Sequence, residues 1–443
     1  MKPSVYIETF GCQMNVADTE RARTRLYEAG YRLAKSEDSA DVVLFNTCSV
    51  RARAERKVFT RIGEVRSGRK GHEPLIGVMG CVAQLEAESI FDNAPVDMVI
   101  GTRATDRLPA LIERAQSGER RTLDLGEREA TDSWEVSSVE RHSPYVAFVP
   151  IIEGCNKFCT YCIVPYSRGR ERSRKASEIV SEVKRLREEG YREVHLIGQN
   201  VNSYRPKSSE GLENFEGATP FSRLLRAVAA TGMERIKFTT SFPRDFHADI
   251  VAAMEEHENL CNWVHLPVQS GSDAILRAMR RGHKVSDYLK RVEAIKGARR
   301  RMALTTDLIV GFPGETVEDF EATMRLVETC QYDSAYIFKY SPRPGTPAAK
   351  LPDNVSAAEK KARFLALERL QREIQSQIYS GYVGREASVL VEGESAKSPE
   401  DMVGHSTCHK VVNFKGAEEM AGRIVRVLVT EAKTNSLYGE IKG

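Results

Sequence analysis

The sequence predicts a mixed α/β protein in three parts: a doubly wound parallel sheet, a partial (β/α)6 barrel and a small all-β barrel. Three observations predict this arrangement. Strand and helix patterns alternate from residue 4 to about residue 123 and again from residue 145 to about residue 349, which favours parallel sheets. Between these regions the apolar pattern lapses, as it does in a linker. After Gly381, short segments of alternating polarity replace the helical pattern, which is typical of a small β-barrel.

Length, charge and cysteine content narrow the class of protein. The chain has 443 residues, of which 41% are apolar and 29% charged, and its formal net charge is +3. No apolar run approaches the ~20 residues that a membrane helix needs. The first residues lack the apolar core of a secretion signal, so we expect a cytoplasmic chain without membrane contacts. In a reducing compartment, nine cysteines indicate metal ligands or catalytic thiols rather than disulfides.

The first domain is predicted over residues 1–125 and a linker over residues 126–143. Four apolar segments predict its strands: "SVYIETFG", "DVVLFNT", "LIGVMG" and "VDMVIG". Amphipathic stretches predict helices over residues 15–29 and 51–69. Because strands alternate with helices, we expect a parallel sheet that is covered on both faces.

The barrel domain is predicted over residues 144–375 and the last domain over residues 376–443. The six barrel strands are predicted from "YVAFVPI", "EVHLIG", "RIKFTT", "WVHLPV", "ALTTDLIV" and "AYIFKY". Helical spacing predicts helices over residues 176–189 and 356–380. The last domain has strand candidates "ASVLVEG", "HKVVNF", "GRIVRVLVTEA" and "SLYGEI". In a parallel barrel the active site lies at the C-terminal ends of the strands, which directs attention to the loops there.

Three cysteines directly follow the first predicted barrel strand. Cys155, Cys159 and Cys162 are spaced C-x3-C-x2-C, and no fourth cysteine is nearby in the sequence. Structural zinc sites and electron-relay clusters usually have four protein ligands. Three thiolates on a four-iron cube instead leave one iron free to bind a substrate. The alternatives are a zinc site completed by a distant ligand, or three cysteines that are merely buried.

A second set of three cysteines is predicted from the fold of the first domain. Cys12, Cys48 and Cys81 are far apart in the sequence, but each follows a predicted parallel strand. The carboxyl ends of such strands converge on one edge of the sheet, so the three sulfurs are expected to meet there. We therefore predict a second cluster with three protein ligands, the alternative being ordinary buried cysteines. For Cys261, Cys330 and Cys408 we expect only packing roles.

The cysteine loop resembles that of the radical S-adenosylmethionine superfamily, in which it also follows the first strand of a six-unit barrel. The resemblance implies that Cys155, Cys159 and Cys162 hold a [4Fe-4S] cluster whose open iron binds S-adenosylmethionine. It implies reductive cleavage to a 5′-deoxyadenosyl radical, which takes hydrogen from an unactivated carbon. Tyr161 and polar residues at strand ends are candidate cofactor contacts, although a structural hydrogen bond is the alternative for each. These strand-end residues are Gln199, Asn200, Ser241, Gln269 and Asp307, with His265 and Tyr340 as further candidates.

Two tri-cysteine sites followed by a β-barrel are similar to the methylthiotransferase family, which joins a cluster domain, a radical barrel and an RNA-binding TRAM domain. The stretches "LIGQNVNSYR", "HLPVQSGSDAILRAMRRGH", "TTDLIVGFPGET" and "FKYSPRPGTPA" fit the branch that modifies tRNA beside the anticodon. The resemblance implies methylthiolation at C2 of N6-isopentenyladenosine at position 37, with two S-adenosylmethionine molecules and two [4Fe-4S] clusters. Alternatives are the same chemistry on a ribosomal-protein aspartate or on threonylcarbamoyladenosine, or a non-catalytic, metal-stabilised RNA-binding protein.

The resemblance also implies partners. They are a tRNA anticodon stem-loop carrying isopentenyladenosine, a reductase or flavodoxin-type electron donor, and a sulfur donor, with the enzyme acting as a monomer. The run "RGRERSRK" over residues 168–175 has five basic residues and one acidic residue, which predicts phosphate contacts, the alternative being a solvated face. Candidate RNA contacts are Arg168, Arg170, Arg172, Arg174 and Lys175, with Lys410 in the TRAM domain.

Three histidines stand at positions where their role can be predicted. His195 lies alone in a predicted barrel strand, where we expect a hydrogen-bonded core residue. His405 and His409 stand where the family usually has arginine and asparagine. With 8 basic and 9 acidic residues over 376–443, the TRAM domain is not a basic domain, and we expect it to bind RNA through shape and backbone groups.

Overall fold

The computed structural model describes residues 2–49, 52–68, 73–119, 121–126, 134, 136–137 and 141–442. Two compact units are formed. The first comprises Met1–Ser143, Glu153–Asn156 and Ile163–Glu171, and the second comprises Pro144–Ile152, Lys157–Cys162 and Arg172–Gly443. No helix within the described part of the chain combines the length and apolar character needed to cross a membrane.

The first unit is built on six parallel strands. They are β1 (Ser4–Thr9), β2 (Arg32–Leu33), β3 (Val42–Thr47), β4 (Leu75–Gly80), β5 (Met98–Gly101) and β6 (Thr122–Asp124). Its helices are α1 (Gln13–Glu28), α2 (Ala52–Gly68), α3 (Cys81–Glu86), α4 (Ile90–Asn93), α5 (Leu108–Gln116) and α6 (Val164–Arg168). The four predicted strands and both predicted helices are present, although residues 51 and 69 of the second predicted helix lie outside the described residues. The two short strands β2 and β6 were not predicted.

The strand order β2-β1-β3-β4-β5-β6 places a topological switch point between β1 and β3. All six residues of β3 are buried, because helices cover both faces of the sheet. Val42 and Leu44 belong to the core on one face, and Val43 and Phe45 to the core on the other. In doubly wound sheets, ligands bind outside the carboxyl ends of the strands at such a switch point.

Most of the predicted linker lies outside the described residues, namely 127–133, 135 and 138–140. The remainder packs on α1. The Ser137 N–H donates to Thr24 Oγ1 at 3.0 Å, and the His142 N–H donates to Glu20 Oε1 at 2.7 Å. Val136 is buried. The described linker residues therefore belong structurally to the first unit.

The second unit contains six parallel barrel strands. Two short strands, β8 and β9, accompany them, so that eight strands follow in chain order: β7 (Val146–Pro150), β8 (Ile152–Glu153), β9 (Arg172–Ser173), β10 (Glu193–Ile197), β11 (Arg235–Phe238), β12 (Trp263–His265), β13 (Ala303–Val310) and β14 (Ser334–Lys339). The short β8 and β9 flank the cysteine loop. The other six form two parallel sheets, β7-β10-β11 and β12-β13-β14, joined by a bridge between Ile236 and Leu260. The predicted partial barrel is confirmed.

Seven helices surround these strands in the described part of the second unit. They are α7 (Ala176–Glu188), α8 (Pro220–Ala229), α9 (Ala248–Glu256), α10 (Asp273–Ala278), α11 (Val285–Lys296), α12 (Val317–Cys330) and α13 (Ala357–Ser380). Ser356 and Glu359 form a capping box that begins α13. This helix continues past residue 375, where the sequence predicted the end of the barrel domain.

The C-terminal residues form a closed five-stranded barrel, as predicted. Its strands are β15 (Glu386–Ser395), β16 (Ser398–Ser406), β17 (Val411–Lys415), β18 (Ile424–Ala432) and β19 (Leu437–Ile441). The order around the barrel is β15-β16-β17-β19-β18. Strand β16 was not predicted, because its buried positions include Gly404 and Ser406, which give no apolar alternation.

Candidate functional site

The three cysteines of the first unit lie at one edge of its sheet. Cys12 follows β1 and precedes α1, Cys48 follows β3, and Cys81 begins α3 directly after β4. The Cys48 side chain lowers the pKa of Cys12, and the charge on Cys12 raises that of Cys81. The structure thus places three cysteines from distant parts of the sequence at the ends of neighbouring strands, and β1 and β3 flank the switch point of the sheet.

Two glycines allow this close approach. Gly11 has φ 138°, and a Cβ there would lie 2.5 Å from the Cys48 Cβ. Gly80 has φ 93°, and a Cβ there would lie 2.4 Å from Asn46 Oδ1. Both backbone conformations are ones that side-chain-bearing residues rarely adopt, so glycine is required for geometry as well as for space.

A buried amide network fixes the backbone beneath these cysteines. Asn15 Nδ2 donates to Asn46 Oδ1 at 3.1 Å and to the Thr47 carbonyl at 3.0 Å. Asn46 Nδ2 donates in return to the Asn15 carbonyl at 2.8 Å, and the Cys12 thiol donates to Asn15 Oδ1 at 3.2 Å. Asn15 was not predicted as a site residue. The signal available was its position three residues after a cysteine that begins a helix.

Arg168 is buried, which argues against the RNA contact predicted for it. The sequence assigned it to RNA, but only 6% of it is exposed. Its guanidinium donates to Asp18 Oδ2 at 2.6 Å and to Glu153 Oε1 at 3.2 Å. The buried ion pairs occupy the side chain, which therefore has no free surface to offer a phosphate.

The electrostatics around the N-terminal cysteines favour the thiolate form of Cys12. The hydrogen bond from Cys48, together with the charge of Arg168, lowers the pKa of Cys12 to about 6. Burial raises the pKa of Cys81, although Arg168 opposes this effect. Burial alone would lower the pKa of Arg168, but Asp18 and the neighbouring cysteines hold that pKa well above its usual range.

Cys155 belongs to the first unit, and Cys159 and Cys162 belong to the second. In the first unit, the Cys155 N–H donates to the Gly169 carbonyl at 3.0 Å. Gly154 has φ 81°, and a Cβ there would lie 2.1 Å from the Arg170 carbonyl. The backbone that leads into Cys155 is therefore held tightly against the segment that follows α6.

In the second unit, Arg281 is the main neighbour of the cysteines. Its Nη1 lies 3.5 Å from Cys159 Sγ, and its Nη2 donates to the Pro267 carbonyl at 2.5 Å. The guanidinium also lies 4.4 Å from the centre of the Phe242 ring. Arg281 was not predicted as a site residue, since an Arg-Arg pair after a short helix usually indicates a solvated surface.

Tyr161 lies between Cys159 and Cys162 in the loop and is partly buried. It packs with Ile309 against a small core that includes Phe312 and Tyr340. Burial raises the pKa of Tyr161 well above its usual value, with the cysteines and Asp307 acting in the same direction. Its phenol therefore stays protonated.

Among the polar residues predicted at strand ends, Gln199 and Asn200 follow β10, Ser241 follows β11, Gln269 follows β12 and Tyr340 follows β14. His265 is the last residue of β12, and Asp307 lies within β13. Gln269 has a left-handed backbone (φ 81°), and its N–H donates to the Asp307 carbonyl at 2.9 Å. His265 Nδ1 is hydrogen-bonded to Thr305 Oγ1 at 3.0 Å, and His265 Nε2 lies 3.6 Å from Asp307 Oδ1. Gln199 is half-buried and Asn200 is buried. The hydroxyls of Ser241 and Tyr340 are buried without a hydrogen-bond partner among the described residues, as a missing ligand would leave them.

The remaining predicted RNA contacts divide by exposure. Arg170 and Lys175 are exposed, and Arg172 is half-buried. Arg174 is buried and paired with Glu182, so it joins Arg168 as a structural residue. Lys410 is 2% exposed, and its ammonium lies 2.6 Å from Asp333 Oδ1. The Lys410 ammonium is thus paired inside the protein, and its RNA contact stays a prediction that the burial does not favour.

His195 has a partner that the sequence did not reveal. Its Nε2 lies 2.5 Å from Glu193 Oε1, and that carboxylate also pairs with Arg235 at 2.7 Å and Lys237 at 2.9 Å. The expectation of a hydrogen-bonded core residue agrees with this arrangement. Cys261, Cys330 and Cys408 are buried and belong to packed regions, in line with their expected packing roles.

Within the described residues, no three histidine, cysteine or acidic side chains are arranged to hold one metal ion. Ligands of an iron–sulfur cube bind separate irons and stand farther apart than the ligands of a single ion. The all-sulfur donor sets at both places suit such a cluster.

Models of three known families match successive parts of the chain. The model described as uncharacterized protein family UPF0004 matches residues 4–101, the Radical SAM superfamily matches residues 149–327, and the TRAM domain matches residues 381–442. Together with the barrel, they define the class: a radical S-adenosylmethionine enzyme, which uses S-adenosylmethionine and a [4Fe-4S] cluster.

Relatives similar over nearly the whole chain identify the family. The chain is 44% identical to the tRNA-2-methylthio-N(6)-dimethylallyladenosine synthase of Solibacter usitatus, over 98% of this chain and 97% of the relative. Identity to the synthase of the same name from Geobacter sulfurreducens is also 44%, over 99% and 97%. The chain belongs to this family of tRNA methylthiotransferases, enzymes that transfer sulfur-containing groups.

Solved structures share the fold at low sequence identity. The radical S-adenosylmethionine methyltransferase TsrM from Kitasatospora setae superposes with a TM-score of 0.56 at 14% identity, covering 78% of this chain and 75% of that one. The cobalamin-dependent S-adenosylmethionine radical enzyme OxsB gives 0.51 at 10% identity, covering 84% and 56%. These likenesses support the architecture alone.

Proposed function

We propose that the chain transfers a methylthio group to C2 of N6-isopentenyladenosine at position 37 of tRNA, using two S-adenosylmethionine molecules and two [4Fe-4S] clusters. The observation that carries this proposal is the meeting of Cys12, Cys48 and Cys81 at one sheet edge, in a chain that also has the radical loop. Radical formation alone needs one cluster. A second all-cysteine site is what delivery of sulfur requires.

Each site supplies three thiolates, from Cys12, Cys48 and Cys81 and from Cys155, Cys159 and Cys162. Since a four-iron cube has four corners, one iron of each cube keeps no protein ligand. When bound, the clusters and S-adenosylmethionine supply the radical and sulfur-transfer chemistry. The protein holds these groups, orients the substrate and keeps water away.

Residues of the second unit are suited to hold the cofactor. Arg281 places a buried positive charge at Cys159, which offsets part of the negative charge of the thiolates. Tyr161 remains a neutral hydrogen-bond donor at physiological pH. The unpaired hydroxyls of Ser241 and Tyr340 offer hydrogen bonds to the polar groups of S-adenosylmethionine, and Phe242 shields Arg281 from water.

An exposed aromatic face of β14 supports the isopentenyl branch. Tyr336 and Phe338 alternate on β14 with Ala335 and Ile337, which pack on the hydrophobic core. The two aromatic side chains therefore point to the other face, where they are 47% and 42% exposed. An apolar prenyl group suits this surface better than the charged threonylcarbamoyl group does.

We also propose the partners that this chemistry needs. They are the anticodon stem-loop of a tRNA carrying isopentenyladenosine, a flavodoxin-type electron donor and a sulfur donor. The enzyme would act as a monomer in the cytoplasm, where it meets tRNA. The C-terminal TRAM barrel and the exposed Arg170 and Lys175 are the candidate RNA contacts.

Anaerobic analysis of iron and sulfide tests the two clusters. We expect about eight irons per reconstituted chain, falling to about four when Cys155, Cys159 and Cys162 become alanine. Replacing Cys12, Cys48 and Cys81 should give the same loss. Four irons in the unaltered chain would contradict the second cluster, and Cys261→Ala serves as a control that should leave the count unchanged.

Nucleoside mass spectrometry of tRNA tests the substrate. In a strain lacking this gene, the methylthio adenosine should disappear and isopentenyladenosine should accumulate. Restoring the gene should restore the product. An unchanged nucleoside profile would contradict the proposed substrate and would favour methylthiolation of a protein side chain.

A further inference from the structure

Arg168 is a buried cation on α6 that joins two parts of the first unit. Its Nη2 lies 2.6 Å from Asp18 Oδ2 on α1, and its Nη1 lies 3.2 Å from Glu153 Oε1. The charge of the same guanidinium favours the ionised forms of Cys81 and Cys12 and acts to lower the pKa of both thiols. One side chain therefore connects the N-terminal cysteine site with the strand that leads into Cys155.

Little solvent reaches these charges. The exposed side-chain fractions are 2% for Arg168, 6% for Asp18 and 8% for Glu153. A second arginine, Arg21, approaches Asp18 at 3.8 Å. Because buried charges are screened far less than surface charges, the positive charge of Arg168 acts strongly on groups in contact with it.

The segment that carries Arg168 is itself firmly placed. The Thr102 hydroxyl donates to the Ser167 carbonyl at 2.7 Å, and α6 packs against α3, which begins at Cys81. Gly169 has φ 76°, and a Cβ there would lie 2.1 Å from Arg103 Nη2. The position of the guanidinium beside Cys81 is therefore set by backbone contacts as well as by its two carboxylate partners.

We propose that Arg168 is a positioning residue of the N-terminal cysteine site, whose buried positive charge raises the reduction potential of the cluster held by Cys12, Cys48 and Cys81. This inference rests on the cluster proposed above. Reduction adds negative charge to a cluster, so a cation fixed beside two of its ligands stabilises the reduced form. An arginine that served only to hold the chain would affect stability and leave the potential unchanged.

The test uses the full chain with Cys155, Cys159 and Cys162 replaced by alanine, so that only the N-terminal cluster is present. Arg168→Gln removes the charge and Arg168→Lys keeps it. The reduction potential is measured by a redox titration followed by electron paramagnetic resonance, alongside iron and sulfide counts. Arg170→Gln is the matched control, because Arg170 carries the same charge in the same segment but is exposed.

We expect Arg168→Gln to lower the equilibrium constant for one-electron reduction at least tenfold, a shift of about 59 mV. Arg168→Lys should stay within about threefold of the parent, and Arg170→Gln should have no effect. Loss of iron with glutamine but not with lysine would show that Arg168 only holds the chain by pairing Asp18 and Glu153, and would overturn the inference.

Equal behaviour of the glutamine and lysine variants would overturn the inference, whether both keep the parent potential, both lower it or both lose iron. If the parent binds four irons and Arg168→Gln leaves the reduction potential unchanged, the role of Arg168 is refuted but the proposed cluster is not. A parent without iron would refute the proposed cluster, and the inference with it.

Discussion

Single glycines decide how closely the N-terminal cysteines approach one another. Gly11 sits against Cys48, and Gly80 sits against Asn46 and the Thr47 backbone. Each combines a positive φ with a contact too short for any side chain. Steric contacts therefore require glycine at the residue before Cys12 and at the residue before Cys81.

Gly11→Ala should prevent the first unit from binding the proposed cluster. The new methyl group would lie 2.5 Å from the Cys48 Cβ, so one of the two cysteine loops must move. We expect a destabilisation of about 1–3 kcal/mol and a fall in bound iron from about eight to about four per chain. Thermal unfolding and iron analysis measure these effects.

The control for this variant is Gly30→Ala. Gly30 also has a positive φ (82°), but nothing lies within 4 Å of its Cβ position. It should lose about 1 kcal/mol of stability and keep all its iron. Equal iron loss in both variants would show that general destabilisation, rather than crowding at Cys48, removes the cluster.

The sequence was informative about the cysteines and misleading about Arg168 for the same physical reason. Cysteine positions follow from where parallel strands end, which hydrophobic patterns reveal. Whether an arginine is buried depends on its partners, and Asp18 lies 150 residues away in the chain. No local pattern connects the two. The basic run therefore looked uniform although Arg168 and Arg174 are buried.

At the scale of elements, the turn over residues 406–410 between β16 and β17 packs on the barrel strands. His409 lies 4.3 Å from the Trp263 ring centre, and its Nδ1 lies 3.5 Å from Lys237 Nζ. The His405 carbonyl accepts a hydrogen bond from Arg235 at 2.9 Å. The turn thus commits His409 and Lys410 to contacts inside the second unit.

His409 should make stability depend on pH. Burial, Lys237, His405 and His195 lower the pKa of His409 to about 2, with Glu193 opposing them. The unfolded chain takes up a proton near pH 6.5 and the folded chain does not. Stability is therefore complete above pH 6.5 and falls as the pH drops toward 2, by about 1.4 kcal/mol per unit.

His409→Asn isolates this effect, because asparagine cannot take up the proton and accepts the left-handed backbone of position 409 (φ 60°). Between pH 7.5 and 5, we expect the Tm of the unaltered protein to fall more steeply than that of the variant. Parallel curves would mean that His409 does not titrate differently on unfolding.

The predicted elements succeed where apolar periodicity is strong and fail where it is weak. All six barrel strands carry continuous or alternating apolar residues and were predicted, including β12, which spans only three residues. Strands β2, β6, β8, β9 and β16 were not predicted. The first four span two or three residues with little apolar pattern, and β16 is rich in polar side chains. Their pairing comes from neighbouring strands rather than from their own sequence.

Over the whole molecule, charge is almost balanced, with 65 basic and 62 acidic residues. Binding to a polyanion must then depend on local groups instead of the overall field. Many basic side chains are already committed to internal ion pairs, as Arg168, Arg174 and Lys410 illustrate. Exposure, which the sequence does not report, decides which of the remainder are available.

Arg170 and Lys175 are the exposed members of the basic run, so they should carry its tRNA phosphate contacts. Each contact removed should reduce the slope of log affinity against log salt by about 0.7–0.9, because fewer counterions are released on binding. We therefore expect Arg170→Gln combined with Lys175→Gln to weaken binding and flatten its salt dependence. Affinity measured from 50 to 200 mM salt tests this, with Lys184→Gln combined with Lys290→Gln as a control that removes equal charge from exposed positions on α7 and α11. The same slope in both double variants would show that net charge, rather than contact by the basic run, governs the interaction.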